Sequence, residues 1–284
     1  MGRINLDITE FGFNPKNTEQ YSLTLLVGFD SIYYSVIDDL NQVLVLRSYH
    51  FDHNKNFSIE KALDNTLSDD VNLKKTFKRS QVVIDTIHFT CIPAKFFDAQ
   101  KKQIYFKTIN DIDLNENNFL ADDIVGTDAV LVYPIPQKLL LKLNETFPSA
   151  KIINSITAQT SYLLSQKKLF STDRTAFANF RDGYMQIFFF ESNQLIFSNN
   201  FKFSDPQDVI YYTLLIYEQF KLNPSTVPLY VSGSITEDSD IYKFIFRYIR
   251  NVHFLQNPTG LKLGNQFTGV PGFFYNDVFC GALY

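Results

Sequence analysis

Residues 199–235 of the chain, NNFKFSDPQDVIYYTLLIYEQFKLNPSTVPLYVSGSI, predict a helix followed by a buried strand. Asp205 can cap the helix, Pro206 suits its first position, and Asn223–Pro224 ends it. The apolar face of this helix consists of Val209, Tyr212, Thr213, Ile216 and Phe220. Residues Pro228–Gly233 form a short, continuous apolar run, which is typical of a strand inside a parallel sheet. The stretch therefore predicts an α/β domain.

Three further strands precede this helix in the sequence. The strands are the Phe- and Ile-rich runs at residues 175–180, 184–190 and 195–203. They are joined by RDG (181–183) and ESN (191–193), and Asp-Gly is a favoured pair in hairpin turns. A second helix begins at Thr236, and a short strand covers Val252–Leu255. We therefore predict the order β-β-β-α-β-α for the second half of the chain.

The first half of the chain repeats this order. Its predicted elements are strands at Leu23–Phe29, Ile32–Ile37 and Val43–Tyr49, a helical region at Ser58–Phe77 and a buried strand at Val82–Asp85. The segment before the second copy holds a helix from Pro93 (PAKFFDAQKKQ), an acidic stretch at 110–123, a strand at Ala129–Tyr133, and helices at Pro136–Phe147 and Ser155–Gln166. We predict a first domain at 1–170, with an inserted subdomain at about 90–150, and a second domain at 171–284.

Two tandem β-β-β-α-β-α units are the signature of an actin-like (ribonuclease H-like) α/β fold, in which duplicated domains close on a cleft. The resemblance becomes closer in five segments: LVGFDSIYYSVID (26–38), SYHF (48–51), CIPAKFF (91–97), LVYPIPQKLLLKLNETFPSAKIINS (131–155) and the stretch at 199–235. Together they resemble an uncharacterised bacterial family, known as a domain of unknown function, with an actin-like ATPase fold. More distantly, the layout is similar to actin-like platform proteins of pilus-assembly and secretion machines. The resemblance implies a fold and no known activity.

Composition narrows the classes of function. The 284 residues carry a net charge of −4, whereas a general nucleic-acid-binding surface needs a basic excess. No apolar run approaches the roughly 20 residues of a membrane span. The two cysteines, Cys91 and Cys280, are far apart and suit a reducing compartment. We therefore expect a folded cytoplasmic protein that binds no nucleic acid.

In enzymes with this fold, the first hairpin of each domain grips phosphate through an Asp-x-Gly-Thr/Ser type of turn. Gly28–Ser31 (GFDS) places its glycine before the aspartate, and the bulky Ile32 follows. Arg181–Tyr184 (RDGY) keeps Asp-Gly but has a large Tyr next to it. A third expected feature, a Gly-Gly turn beside adenosine, is reduced to Gly233 between two serines. Hairpin geometry explains both turns more simply than phosphate binding does.

Other patterns of reactive side chains are weak. His50–His53 (HFDH) offers three metal ligands in four residues, but no second ligand motif accompanies them. His88 and Cys91 have no identifiable third partner for nucleophilic catalysis. Five of the eleven glycines follow Leu255, which predicts a looped C-terminal tail. Its aromatic residues Phe273, Phe274, Tyr275 and Phe279 either pack on the second domain or form an apolar patch for a partner.

Our leading hypothesis is a non-enzymatic scaffold or adaptor that needs no cofactor and binds another protein or itself. The competing hypothesis is a divergent ATPase or small-molecule kinase that uses ATP and Mg²⁺. In that case the nucleotide site would consist of Asp30, Ser31, Asp182, Gly183 and Gly233. A third reading is a binding protein for another small ligand in the cleft between the domains.

Overall fold

The computed structural model describes residues 3–51, 58–109, 111–166 and 172–284, with the main chain alone at 3–5. Contacts divide the chain into two compact units. Unit 1 comprises Met1–Gln159, Gly260–Gly269 and Asp277–Tyr284, and unit 2 comprises Thr160–Thr259 and Val270–Asn276. The C-terminal tail, which the sequence predicts as part of the second domain, is divided between the two units.

Unit 1 is built on a mixed sheet. Its elements are β1 (Arg3–Thr9), β2 (Ser22–Val27), β3 (Ser31–Ile37), β4 (Gln42–His50), α1 (Ile59–Asp69), β5 (Arg79–Ile84), β6 (Thr90–Pro93), β7 (Asn117–Asp123), β8 (Ala129–Pro136), α2 (Gln137–Thr146) and β9 (Lys151–Asn154). The helix α3 (Ser155–Ser165) starts in this unit. The strand order is β1-β4-β3-β2-β5-β9, and β2, β5 and β9 run parallel.

Unit 2 repeats the central part of this sheet. Its elements are β10 (Arg174–Arg181), β11 (Tyr184–Glu191), β12 (Gln194–Lys202), α4 (Pro206–Gln219), β13 (Leu229–Gly233), α5 (Asp240–Tyr248) and β14 (Val252–Phe254). The order β12-β11-β10-β13-β14 has the same connectivity as β4-β3-β2-β5-β9. Asp205 caps α4 as expected, because its carboxylate accepts from the N–H groups of Gln207 and Asp208 at 2.7 and 3.2 Å. The predicted β-β-β-α-β repeat is confirmed.

The segment between β5 and β9 forms a small antiparallel sheet of its own, in the order β6-β8-β7. The predicted helix from Pro93 is wrong. Pro93 ends β6, and two short 3₁₀ helices follow at Ala94–Phe96 and Lys102–Phe106. Phe106 is fully buried and anchors this segment against the small sheet. Phe96 stays exposed, so the segment lacks the continuous apolar face that a packed helix needs.

The prediction of a looped tail is wrong at its end. After the two-residue strand β15 (Lys262–Leu263), which pairs with the start of β4, the chain forms the helix α6 (Asn276–Leu283). Phe279 and Cys280 are buried in this helix, and Gln81 Nε2 donates to the carbonyl of Gly281 at 2.6 Å. This end of the tail therefore belongs to the core of unit 1. The helix α6 gains its stability from this packing rather than from the helix propensity of its own residues.

Among the described residues, no helix combines the length and the apolar character that crossing a membrane requires.

Candidate functional site

The first candidate turn joins β2 to β3 and is held closed by its own main chain. The N–H of Gly28 donates to the carbonyl of Ser31 at 2.8 Å, and the hydroxyl of Ser31 donates to the carboxylate of Asp30 at 2.9 Å. The side chain of Phe29 is 60% exposed at the tip. A phosphate cradle needs successive N–H groups that converge on the anion. Here the N–H of Gly28 and the hydroxyl of Ser31 already have partners within the turn.

The second candidate turn is a two-residue hairpin between β10 and β11. Arg181 and Tyr184 are directly paired, and Asp182 and Gly183 form the exposed connection. Gly183 has φ +75°, which favours glycine because an L side chain is strained there. Tyr184 is buried at 3% exposure. The Asp-Gly pair is therefore explained by the geometry of the hairpin.

Gly233 lies at the same end of the unit 2 sheet, where it ends β13 opposite Phe180 of β10. Its φ is +82°, and a Cβ atom at this position would lie 2.1 Å from the carbonyl oxygen of Phe180. Ser232 donates to Asn179 Oδ1 at 2.9 Å, and Asn179 in turn donates to Gln186 at 3.2 Å. Close packing between two strands accounts for this glycine without a ligand.

Unit 1 has a second polar cluster, which the sequence analysis missed, at the carboxyl ends of its parallel strands. Asp85 follows β5 directly, and its N–H donates to the carbonyl of Val27 at 2.9 Å. The hydroxyl of Ser155, at the start of α3, donates to Asp85 Oδ1 at 2.7 Å. Both side chains are buried. Ligands of α/β proteins bind outside the carboxyl ends of strands, and this rule could have identified Asp85 at the end of its apolar run.

Asp122 of β7 holds the first turn of α3. Its carboxylate accepts from the N–H of Asn154 at 2.7 Å, from the hydroxyl of Thr157 at 2.9 Å and from Tyr133 at 3.3 Å. Burial raises the pKa of Asp122, although these hydrogen bonds act in the opposite direction. The pKa of Tyr133 is also raised by burial and by the adjacent charge. The carboxylate of Asp122 accepts from three donors of the protein, two of which lie at the start of α3, so it acts as a capping group for this helix.

The remaining candidates do not come together into a reactive site. His50 Nε2 lies 3.2 Å from the hydroxyl of Tyr33, while Asp52 and His53 lie outside the described residues. Cys91 is exposed on β6. No group of three or more His, Cys, Asp or Glu side chains could hold a metal ion within the part of the chain that the structure describes.

Comparison with known families identifies the chain. A family model described as "Protein of unknown function (DUF3822)" matches residues 10–252. The chain belongs to the DUF3822 family. Comparison with curated proteins found no match for this DUF3822 protein.

Solved structures show what fold the DUF3822 chain has. A Bacteroides thetaiotaomicron protein with actin-like ATPase fold and unknown function is 21% identical, at a TM-score of 0.77 over 86% of this chain and 93% of that one. The PilM–PilN type IV pilus biogenesis complex matches at 12% identity and a TM-score of 0.59 over 92% and 97% of the two chains. The ethanolamine utilization protein EutJ from Carboxydothermus hydrogenoformans matches at 9% identity and 0.51, over 93% and 89%. The fold is actin-like, as the sequence predicts.

Proposed function

We propose that this DUF3822 protein is a non-enzymatic actin-like scaffold or adaptor that binds another protein or a second copy of itself. The observation that carries the proposal is the closed first turn. Its glycine N–H bonds to Ser31 and its aspartate accepts from the same residue, while the aromatic side chain of Phe29 stands exposed at the tip. An exposed phenyl ring suits an apolar contact with protein better than a contact with a phosphate group.

The second hairpin supports the same proposal independently. In a two-residue loop only Asp182 and Gly183 lie outside the strand ladder, and the next residue, Tyr184, is buried in the sheet. Too few main-chain N–H groups are left to converge on a phosphate. One structure with a similar fold is that of a protein complex, PilM with PilN, and it makes protein binding a reasonable role for this chain.

A second candidate function, Mg-ATP binding, is favoured by two observations. Asp85 and Ser155 place a carboxylate and a hydroxyl at the carboxyl ends of β5 and β9, in the same unit as Asp30 and Ser31. The buried Nδ2 of Asn154 has no hydrogen-bond partner within the described part of the chain. The carboxylate and hydroxyl oxygens of Asp85 and Ser155 are the type of ligand that suits Mg²⁺. For this candidate the proposed nucleotide-binding residues are Asp30 and Ser31 of unit 1 and Asp182, Gly183 and Gly233 of unit 2.

The proposal is tested by thermal unfolding with and without Mg-ATP at millimolar concentration. A ligand that binds the folded state alone stabilises it, by about 2.7 kcal/mol at a hundredfold excess over Kd. We expect no shift in the melting temperature and no release of phosphate from ATP. A shift that depends on Mg²⁺ and is lost in Asp30→Ala, with the variant folded as judged by circular dichroism, would favour the second candidate.

A further inference from the structure

The strand β4 of unit 1 and the strand β12 of unit 2 occupy equivalent positions in their sheets, and both contain a β-bulge at the same place. Both β4 and β12 are nine residues long. In β4 the pairing with β3 skips Leu44, and in β12 the pairing with β11 skips Ile196. Each skipped residue is the third of its strand and forms a β-bulge. The six residues after the bulge, 45–50 in unit 1 and 197–202 in unit 2, are therefore equivalent.

In unit 1 this stretch of the edge is covered by a further strand. β1 pairs antiparallel with β4, from Thr9 opposite Val45 to Arg3 opposite His50. The contact includes an ion pair, because Arg47 Nε lies 2.6 Å from Asp7 Oδ1. Unit 1 shows that a nine-residue strand with this bulge can accept an antiparallel neighbour.

In unit 2 the equivalent strand β12 is the last strand of its sheet, as far as the described residues extend. An edge strand presents N–H and C=O groups that can pair with another chain, and proteins usually protect it with charges or proline. From Gln194 to Phe201 this strand contains neither. Asn199, at the position of Arg47, is uncharged and exposed.

We propose that β12 pairs antiparallel with β12 of a second copy of this chain, with Asn199 opposite Asn199. This inference deepens the proposed scaffold function and rests on it, because it names the partner and the surface. A partner strand with the charges of β1 would form no ion pair here, because Asn199 is at the position where β4 has Arg47, which pairs with Asp7.

The register about Asn199 follows from the side chains of the strand. It places Phe197 opposite Phe201 of the second copy, and Ser198 opposite Asn200. Phe197 and Phe201 share one face, where their rings stack with centroids 6.5 Å apart. The pairing therefore continues an aromatic row on that face and a polar row on the other, and aromatic cross-strand pairs stabilise sheets. Lys202 lies opposite Ile196, so no like charges meet.

The backbone direction agrees with this register. The N–H of Phe203 donates to the carbonyl of Gly183 at 2.9 Å, so every second residue of β12 back from there faces β11, and the main chain of Asn200 faces away from β11. Within one chain the N–H of Asn200 donates to the side-chain oxygen of Asn199 at 2.9 Å, and in the proposed pair it exchanges this acceptor for the second copy. Ser198 faces the same way because backbone groups alternate along a strand. Ser198 and Asn200 of the second copy then form a hydrogen-bonded pair. A contact this small predicts a weak dimer that depends on concentration.

The test is sedimentation equilibrium on the full chain up to about 1 mM, with charge variants at the centre of the proposed contact. Asn199→Lys and Asn199→Asp each place like charges opposite one another, so each is expected to raise the dimer dissociation constant about threefold or more. An equimolar mixture of the two variants places opposite charges there and is expected to restore association. Because Asn199 is exposed, we expect both variants to fold like the wild-type chain, and their melting temperatures check this.

A second pair of variants tests the backbone. Asn200→Pro removes the outward N–H and is expected to weaken the dimer about tenfold, whereas Asn200→Ala keeps this group and serves as the matched control. A wild-type chain that stays monomeric, a dimer that Asn199→Lys, Asn199→Asp and Asn200→Pro leave unchanged, an equal effect of Asn200→Pro and Asn200→Ala, or a mixture that fails to restore association would each overturn the proposal. Mg-ATP binding would instead overturn the scaffold function, whatever the oligomeric state.

Discussion

The hydroxyl of Tyr34 donates to Asp70 Oδ2 at 2.5 Å, and this bond ties the end of α1 to the sheet of unit 1. The same oxygen accepts from Tyr49 at 2.9 Å and from Arg47 Nη1 at 2.6 Å. Asp70 is 2% exposed. Tyr34 and Tyr49 lie on β3 and β4, so a single carboxylate joins two strands to the helix. A buried charge with three donors strongly favours one arrangement of these elements.

Removing one donor is expected to destabilise the chain. Tyr34→Phe leaves the ring in place and deletes a hydrogen bond to a charged acceptor, so the free energy of unfolding should fall by about 1.5–3 kcal/mol. Urea denaturation measures this change. Tyr248→Phe is the matched control, because Tyr248 is 53% exposed and its change should stay within about 0.5 kcal/mol. Equal stability of the two variants would contradict the role given to Asp70.

Asp70 also gives the stability a dependence on pH. Burial by itself raises the pKa of Asp70, but hydrogen bonds from Tyr34 and Arg47 and the charge of Arg47 hold it below its ordinary value. The folded state then binds fewer protons than the unfolded state, whose aspartate pKa is about 3.9. The stabilisation is complete above that value and is lost as the pH falls through the lower pKa of the folded state.

Asp70→Asn is therefore expected to flatten the fall in stability below about pH 4. Urea denaturation at a series of pH values measures it, and Asp69→Asn controls for the loss of one negative charge at the neighbouring exposed position. An unchanged acid slope in Asp70→Asn would show that other groups cause the acid sensitivity.

The helix α6 gives a prediction about packing. A Cβ atom on Gly281 would lie 2.5 Å from Val83 Cγ2 and 3.1 Å from Thr24 Cγ2. Gly281→Ala should therefore destabilise the chain by about 1–3 kcal/mol. The loss should be smaller in a Val83→Ala background, where the space is free, and a double-mutant cycle measures this coupling. Strictly additive effects would contradict the contact between α6 and β5.

Two glycines of unit 2, Gly183 and Gly233, give a matched pair of variants. Both have positive φ, but a Cβ atom on Gly183 would meet nothing within 4 Å, whereas one on Gly233 would collide with the carbonyl of Phe180. Gly183→Ala should destabilise by about 1–2 kcal/mol from backbone strain alone. Gly233→Ala should lose about 1–3 kcal/mol more, because the strands must separate. Equal losses in thermal unfolding would leave Gly233 without a packing explanation.

Much of the fold could be predicted because its signals are local. The helix α4 has a cap, a proline and an apolar face in neighbouring residues, the last of the three strands before it alternates clearly, and the other two are Phe- and Ile-rich runs. The strand β9 has only four residues, Lys151–Asn154, and is recognisable only through its pairing with β5. The helix α6 is similar, since the hydrogen bond that Gly281 accepts comes from Gln81, 200 positions away.

The candidate site was predictable only in part. Asp30 and Asp182 lie in turns that sequence reasoning could identify, because Gly and Asp mark hairpins. The pairing of Asp85 with Ser155 joins residues 70 positions apart, and the closing of the first turn depends on hydrogen bonds that no spacing reveals. The equivalence of β4 and β12 likewise required the register of both sheets.

The most direct test of the scaffold proposal is a calorimetric titration of the full chain with Mg-ATP, alongside Asp30→Ala and Asp182→Ala. The account predicts no saturable heat for any of the three proteins up to millimolar nucleotide, because the first turn is closed by its own hydrogen bonds and the second is a two-residue hairpin. A saturable, Mg²⁺-dependent heat in the wild-type protein that both folded variants lose would contradict it and would make this DUF3822 protein a nucleotide-binding member of the actin-like fold.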